Sequence, residues 1–279
     1  MELNLYKEIA KCIREFKGLS IDCLTKLIND YPSLSKNTLA SILSYEYQTR
    51  MKAVYYKNQI AKKRYWEMYI NSLNKLESPG IILRIAKNEG IAPCLIAKLI
   101  LQVYFEDYSG SMDTDKSSVN INVYMKNTAL IPNMDLAYEV FLCTNYDNLY
   151  SPVADTIRNS IGQQYEIQLY KQVVEMGLAF RDEEYLRRYG YDKTPDIKLE
   201  VPVSIDGFII NWIESKALFG TEGVHKDYTA NQYLSYWNRF GAGLVIYWFG
   251  YVETIKEQNN KCFLIQDHLP RNIVQIGKN

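Results

Sequence analysis

Three ionisable side chains between Thr194 and Ala217 have the types and spacing for chemistry on a phosphate. The stretch reads TPDIKLEVPVSIDGFIINWIESKA, with Asp196 near its start and Glu214 and Lys216 near its end. Carboxylate oxygens are ligands for hard cations such as Mg²⁺, and an ammonium stabilises negative charge that develops on an oxygen. The three residues are therefore candidates for a site that takes a hard cation and a phosphate.

A β-hairpin is the element that must bring these residues together. β-branched and apolar residues flank the pair Asp206-Gly207, and Asp-Gly between two such runs is a strong hairpin signal because both turn residues need a positive φ. A hairpin places its two ends side by side, so Asp196 lies next to the end of the second strand. Alternation along that strand predicts Glu214 and Lys216 on one face and Ser215 on the other.

Phosphodiester hydrolysis is the reaction that such a group of residues suits. A divalent cation held by carboxylates supplies a hydroxide near neutral pH and neutralises the phosphate. Mg²⁺ takes one or two carboxylates and keeps several waters, which matches Asp196 and Glu214, and the carbonyl of Ser215 or Lys216 can add an oxygen. Lys216 would hydrogen-bond the attacking water or stabilise the developing charge. On the residues alone, an ion cluster at a sheet edge remains an alternative.

The C-terminal half predicts an α/β sheet with helices on its faces. A helix from Val153 to Met176 carries Glu166, and the predicted hairpin follows it. The segment 217–226 is predicted as a loop, and a helix is predicted from Asp227 or Thr229 to Trp237. The runs GLVIYWFGYV and KCFLIQD are typical of buried strands.

The N-terminal half predicts short helices up to about residue 108, in an arrangement that suits either a helix-turn-helix module or a small helical bundle that only packs. Ser35 is the predicted N-cap of one helix. The stretch Tyr47–Trp66 carries six basic and no acidic residues, so on a long helix it would suit a phosphate backbone, or else form a solvated face. The polar stretch Tyr108–Ser118 is the predicted linker. We expect a helical domain over 1–150 and an α/β domain over 151–279.

Composition narrows the class of protein. The chain has 279 residues, a formal net charge of zero and 47% hydrophobic residues, so nucleic-acid contacts would need a local basic patch. Five scattered cysteines without a C-x-x-C pattern indicate a reducing compartment. Two histidines exclude a multi-histidine metal site. No signal peptide and no apolar run of ~18–20 residues is seen, which predicts an intracellular protein without membrane contact.

Five blocks in the C-terminal half form a specific pattern: GYDKTPD (190–196), WIESKA (212–217), FG (219–220), SYWNRFG (235–241) and GLVIYW (243–248). With these blocks, the C-terminal half resembles the TPD-motif branch of the PD-(D/E)XK nucleases. The resemblance implies a restriction-endonuclease-like core, similar to archaeal Holliday-junction resolvases, that binds Mg²⁺ or Mn²⁺. It continues loosely through the N-terminal half, which is helix-turn-helix-like in that family. It also implies DNA as a more expected partner than RNA, and a location in the nucleus and cytoplasm if the source is eukaryotic.

Site residues follow from this resemblance. Asp196 and Glu214 match the metal-binding acidic positions, and Lys216 matches the lysine position. Glu166 matches the acidic position of the first core helix and is a further expected metal ligand. Gln232 is part of a Q-x-x-x-Y pattern that it forms with the tyrosine four residues later. The expected catalytic set is thus Asp196, Glu214, Lys216, Glu166 and Gln232, and the expected metal set is Asp196, Glu214, Ser215 and Glu166.

Three functions remain compatible with the sequence. The first is a metal-dependent endonuclease acting on DNA, with branched structures as candidate substrates. The second is a nuclease-fold scaffold that acts mainly through a partner such as a codanin-1-like protein. The third is a helix-turn-helix transcription regulator.

Overall fold

The computed structural model describes residues 1–109, 120–258 and 262–275; the side chains of 55–58, 107–109 and 257–258 are outside that description. Most of the predicted linker and the C-terminal residues 276–279 therefore lie outside the described residues. The α-helices in the described ranges are α1 (Leu3–Glu15), α2 (Ser20–Asp30), α3 (Lys36–Ile60), α4 (Lys62–Asn74), α5 (Ile81–Glu89), α6 (Pro93–Ser109), α7 (Ile121–Lys126), α8 (Met134–Tyr146), α9 (Pro152–Glu175), α10 (Glu183–Arg188), α11 (Glu222–Tyr228), α12 (Leu234–Phe240) and α13 (Thr254–Gln258).

A mixed six-stranded sheet confirms the predicted α/β class. Its strands are β1 (Phe180–Asp182), β2 (Ile197–Ile205), β3 (Phe208–Lys216), β4 (Gly243–Tyr247), β5 (Phe263–Gln266) and β6 (Ile273–Gln275). The main order is β1-β2-β3-β4-β5, and β6 pairs with the other half of β2. The pairs β1–β2, β2–β3 and β2–β6 are antiparallel, whereas β3–β4 and β4–β5 are parallel.

The β2–β3 hairpin has the predicted turn. Asp206 and Gly207 both have a positive φ, 49° and 82°, as a turn that matches the strand twist requires. The pairing of β2 with β3 shifts register between Lys198 and Val203. Ile197 nevertheless lies opposite Ile213, so the start of β2 meets the end of β3.

Each face of the sheet packs against helices. On one face, Leu169 and Val173 of α9 are fully buried against residues such as Ile213 and Leu244. On the other face, α12 contributes Tyr236, which packs with Trp212 and Val245. Ile213 lies on the α9 face and Trp212 on the opposite face, so alternation places Glu214 and Lys216 with Trp212.

The described residues form two compact units. The sheet unit contains Met1–Ile9, Leu34–Ser41 and the described part of 159–279, and the helical unit contains Ala10–Ser33 and the described part of 42–158. The predicted division of the chain at residue 150 stays a prediction.

Two N-terminal segments are therefore part of the sheet unit. Tyr6 stacks on Phe219 with ring centroids 6.2 Å apart. Thr38 donates to the Phe249 carbonyl over 2.8 Å, and Ser41 accepts from the Phe219 backbone N–H over 2.8 Å. These contacts support the loops that follow β3 and β4. The predicted N-cap is confirmed as well, since Ser35 Oγ accepts from Thr38 N at the start of α3.

Buried carboxylates organise the helical unit. Glu139 accepts hydrogen bonds from the backbone N–H groups of Gly80 and Ile82, at 2.6 and 3.0 Å, at the start of α5. Asp147 accepts from Cys94 N at the start of α6, over 3.0 Å. Helix N-termini leave free N–H groups, so these two side chains complete the ends of α5 and α6.

The basic stretch from Tyr47 to Trp66 does not form the single long helix that was predicted. α3 ends at Ile60 and α4 begins at Lys62, with Ala61 between them. Lys62 is paired with Glu106 at 2.6 Å, and Arg64 is paired with Glu89. The break and the two ion pairs interrupt the predicted basic stripe.

The segment after β3 also differs from its prediction. α11 begins at Glu222, inside the predicted loop, because the Thr221 hydroxyl caps it by accepting from Val224 N over 3.1 Å. A five-residue π-helix, Thr229–Tyr233, joins α11 to α12.

The short strand β6 was not predicted. It forms because its three residues pair antiparallel with the end of β2. In the described residues, no helix is long and apolar enough to span a membrane.

Candidate active site

The structure brings Asp196, Glu214 and Lys216 together at the end of the hairpin. Asp196 Oδ2 accepts a hydrogen bond from Ser215 N over 2.6 Å. Glu214 Oε2 accepts from Asp196 N over 3.3 Å, and Glu214 Oε1 accepts from Lys216 Nζ over 2.6 Å. Two carboxylates and one ammonium thus share a single site, as the hairpin prediction required.

Burial and mutual repulsion govern the two carboxyl groups. Glu214 is 3% exposed. Burial first, and the charge of Glu214 second, raise the pKa of Asp196 well above its usual value. Burial also raises the pKa of Glu214, against the opposing effect of Lys216. Both carboxyl groups are therefore held in surroundings that disfavour their charge, which a bound cation would relieve.

Lys216 is a charged group with little water around it. Its side chain is 15% exposed. Burial alone would lower the pKa of Lys216, but the charge and hydrogen bond of Glu214, together with Asp196 and Tyr228, hold the pKa above its ordinary value. The ammonium is therefore kept charged, and it partly compensates the negative charge of the two carboxyl groups.

The strand alternation predicted for Ser215 is confirmed. Its hydroxyl accepts from Trp248 Nε1 over 2.8 Å, on the face opposite Glu214. Of the two backbone carbonyls predicted as an additional metal ligand, that of Lys216 already accepts from Leu218 N and Trp248 N, at 2.8 and 3.0 Å. Ser215 as a metal ligand stays a prediction.

Glu166 acts on this cluster through its charge. It is an exposed residue of α9, and its charge raises the pKa of Asp196 less than burial and the charge of Glu214 do. Among the described residues, no three carboxylate, thiolate or imidazole side chains converge closely enough to hold a metal ion. Glu166 is thus near enough to be felt by Asp196, and its role as a ligand stays a prediction.

Gln232 lies in the π-helix, and its side-chain oxygen is buried. Within the described part of the chain, Gln232 Oε1 has no hydrogen-bond partner, which is unusual for a buried polar atom. Tyr236, the second residue of the Q-x-x-x-Y pattern, donates its hydroxyl proton to the Thr194 carbonyl over 2.8 Å. Tyr236 therefore fixes the backbone two residues before Asp196, and a role for Gln232 in the reaction stays a prediction.

Two further residues lie close to the site. Glu183 forms the ion pair with Arg187 that their helical spacing suggests, and it accepts from Thr194 Oγ1 over 3.2 Å. His225 is buried in α11, with Nδ1 at 2.9 Å from Tyr247 Oη. His225 belongs to the segment 217–226 that is predicted as a loop; that prediction is wrong here, because the Thr221 cap starts a helix in which His225 is buried. The sequence signal for that cap is a Thr whose hydroxyl can accept from the backbone N–H of the residue three positions later.

The donor set fits a hard divalent cation. Asp196 and Glu214 supply carboxylate oxygens, and Oδ1 of Asp196 accepts no hydrogen bond from the described residues. A cation that keeps several waters and takes one or two carboxylates matches two such residues better than a complete protein cage.

The fold and the site define an α/β protein with two buried carboxyl groups and a lysine where neighbouring antiparallel strands meet. A family model described as "Protein of unknown function TPD sequence-motif" matches residues 132–269. The chain is 38% identical to CDAN1-interacting nuclease 1 of Xenopus laevis over 98% of this chain and 89% of that protein. It is 38% identical to the protein of that name from Homo sapiens over 97% of this chain and 96% of that protein.

The chain therefore belongs to the TPD-motif family that includes CDAN1-interacting nuclease 1, which confirms the predicted resemblance. A relative of the same name from Danio rerio is 36% identical over 97% of this chain and 90% of that protein. No solved structure matches the chain.

Proposed function

We propose that this protein is a divalent-metal-dependent endonuclease that hydrolyses phosphodiester bonds of DNA, including branched structures. The observation that carries the proposal is the buried cluster of Asp196, Glu214 and Lys216. The relatives are named as nucleases, and the cluster supplies what that chemistry needs. The sheet with its hairpin site supports a restriction-endonuclease-like, PD-(D/E)XK type of core.

Asp196 and Glu214 would hold Mg²⁺ or Mn²⁺, with Glu166 and the Ser215 carbonyl as further candidate ligands. The cation, when bound, supplies a nucleophilic hydroxide near neutral pH and neutralises charge on the phosphate. Lys216 donates hydrogen bonds to the attacking water or to the phosphate oxygen on which charge develops. Gln232, with its buried free oxygen, is the candidate to orient a water or a substrate group beside them.

The direct test is hydrolysis of labelled nucleic acids. Purified protein with Mg²⁺ or Mn²⁺ is incubated with duplex, single-stranded, flapped and four-way-junction DNA and with matching RNA. We expect cleavage of at least one DNA structure and loss of cleavage in Asp196→Asn and Lys216→Met. The matched control is Asp192→Asn, an exposed carboxylate paired with Arg239. Activity that persists in the two site variants contradicts the proposal.

A second function is favoured by the names of the relatives, which describe them as CDAN1-interacting. This chain would then act as a scaffold for a codanin-1-like protein. Calorimetric titration with Mg²⁺ and Mn²⁺ separates the two functions. Binding by the wild type that is lost in Glu214→Gln supports the nuclease, whereas no metal binding together with capture of a codanin-1-like protein supports the scaffold.

The proposal also includes helix-turn-helix character for the N-terminal half, which is supported by one pair of helices. α5 and α6 are joined by a short turn in which Gly90 has a φ of 66°. However, α6 is buried on most of its circumference, including Ile96, Ile100 and Val103. Little of α6 is left to enter a groove, so nucleic-acid binding by this half would use the helix ends or Lys52 and Lys63. The nuclear and cytoplasmic location stays a prediction.

A further inference from the structure

The ammonium of Lys216 lies between a carboxylate and an aromatic ring. Glu214 Oε1 is 2.6 Å from Nζ, and the centroid of the Tyr228 ring is 4.6 Å from the same atom. The face of an aromatic ring attracts a cation at this distance, and more strongly where water is scarce. Since the Lys216 side chain is only 15% exposed, the ring is a substantial part of its surroundings.

Buried aromatic residues hold the Tyr228 ring in place. It stacks on Tyr233 with centroids 5.9 Å apart and an angle of 25° between the rings. Tyr233 is fully buried, and its hydroxyl is 3.3 Å from that of Tyr247, which in turn lies 2.9 Å from His225 Nδ1. The ring that faces Lys216 is therefore backed by a packed and hydrogen-bonded layer.

The π-helix explains why these two rings meet. In an α-helix, side chains three or four residues apart are neighbours, whereas Tyr228 and Tyr233 are five apart. The looser winding of Thr229–Tyr233, with bonds from i to i+5, brings residues at this spacing onto one side. The π-helix thus aligns Tyr228 with the core layer and turns its ring to Lys216.

We propose that Tyr228 is a positioning residue that holds the Lys216 ammonium in place for the reaction. This inference rests on the proposed function and deepens it. Glu214 holds the ammonium in the present structure, but a carboxylate that binds a cation has less charge to share with Lys216. The Tyr228 ring is then the contact that keeps the ammonium beside the phosphate.

Kinetics of three variants test this role. Tyr228→Phe keeps the ring, whereas Tyr228→Leu and Tyr228→Met remove it, and the two removals guard against a folding failure in one of them. With Mg²⁺ present, we expect kcat to fall about tenfold in Tyr228→Leu and Tyr228→Met, with KM within about twofold of the wild type. In Tyr228→Phe, we expect kcat to stay within about threefold of the wild type. The matched control is Tyr146→Leu, a half-exposed tyrosine of α8. Equal losses of kcat in Tyr228→Phe and Tyr228→Leu would overturn the inference.

A second measurement does not depend on activity. The Lys216 amine is acylated with a small reagent, and mass spectrometry gives its rate relative to the exposed Lys52. We expect the acylation rate of Lys216 to rise about fivefold or more in Tyr228→Leu and Tyr228→Met and no more than twofold in Tyr228→Phe. The reason is that the ring stabilises the ammonium over the neutral amine, which is the form that the reagent attacks. If the wild type cleaves no nucleic acid, the proposed function fails, and the acylation rates alone decide whether Tyr228 holds Lys216. Unchanged acylation in all variants overturns the inference.

Discussion

Asp196 and Glu214 are two acids that the fold buries beside each other, at a cost to the stability of the protein. Each would be better solvated in the unfolded chain, and their charges repel. Lys216 offsets part of this cost through its 2.6 Å contact with Glu214. Strained electrostatics of this kind concentrate where chemistry is carried out, so the residues that favour function are expected to oppose stability.

The first prediction concerns Asp196→Asn. The pKa of Asp196 is raised in the folded state, so its neutral form is favoured there, and the free energy of unfolding falls as pH rises through that pKa. Asparagine does not ionise, so the Asp196→Asn variant does not lose free energy of unfolding in this way. We expect the variant to be more stable than the wild type by about 1–3 kcal/mol at pH 8, and the difference to close towards pH 4, in denaturant unfolding followed by circular dichroism. Asp192→Asn, an exposed acid, should give no such gain; a variant that is less stable at pH 8 contradicts the argument.

The second prediction concerns His225, whose pKa burial lowers from 6.5 to about 4. The unfolded chain takes up a proton below pH 6.5 while the folded protein does not, so stability is complete above 6.5 and is lost as pH falls towards 4. The loss amounts to about 3 kcal/mol by pH 4. Proton NMR of the imidazole ring measures the pKa of His225 directly. The chain has two histidines, so His268→Gln leaves only the His225 resonances. Titration of His225 near pH 6.5 would show that its imidazole is not buried.

At the scale of elements, two glycines of the hairpin and its neighbouring strand test different physical causes. A Cβ on Gly207 would meet nothing within 4 Å, but its φ is 82°. A Cβ on Gly243, the first residue of β4, would lie 2.1 Å from atoms of the Trp212 ring. The third prediction is that Gly207→Ala costs about 1 kcal/mol through backbone strain, while Gly243→Ala costs roughly 3 kcal/mol or more through overlap.

Thermal and denaturant unfolding of both glycine variants measure these costs. Trp212→Leu in the Gly243→Ala background is the control, since a smaller side chain relieves the overlap. A mild effect of Gly243→Ala on its own would mean that Trp212 can move away from β4.

Sequence patterns predict those elements whose cause is local. The Asp206-Gly207 turn and the alternation of Glu214, Ser215 and Lys216 follow from residue types alone, and both are confirmed. The start of α11 at Glu222 depends on one threonine cap that is easily overlooked. The π-helix Thr229–Tyr233 has no signal in the spacing of apolar residues, so the stacking of Tyr228 on Tyr233 that it permits was not predictable either.

The same reasoning explains what the sequence left open at the site. Asp196 and Glu214 meet because a hairpin joins them, so their proximity is predictable from the sequence. Glu166 is on a separate helix, and its distance from them depends on how α9 packs on the sheet, which the spacing of apolar residues does not fix. The contact of Tyr236 with the Thr194 carbonyl likewise joins residues that are 42 positions apart.

At the scale of the whole molecule, the sheet unit is built from three separate stretches of chain. Residues 1–9 and 34–41 join it through Tyr6, Thr38 and Ser41. The fourth prediction is that a fragment of residues 151–279 is less stable than the same unit in the full chain by roughly 2–4 kcal/mol, the sum expected for two hydrogen bonds and one ring contact.

Denaturant unfolding of the fragment and the full chain, followed by tryptophan fluorescence, measures this difference, since Trp212 and Trp248 lie in the sheet unit. In the full chain, Ser41→Ala and Thr38→Val should each cost about 1 kcal/mol, and Ser44→Ala is the control outside the segment. A fragment as stable as the full chain would show that the N-terminal segments contribute nothing.

This interleaving has a consequence for biosynthesis. A ribosome releases Tyr6, Thr38 and Ser41 early and the strands β4, β5 and β6 last, so the first pieces of the sheet unit wait while the helical unit is made. The helical unit can fold during translation, whereas the sheet unit can close only once β4, β5 and β6 have been made. A nascent chain that lacks β4, β5 and β6 therefore has the two carboxylates on a hairpin without its sheet, and a nuclease site of this kind would become competent only after those strands have emerged from the ribosome.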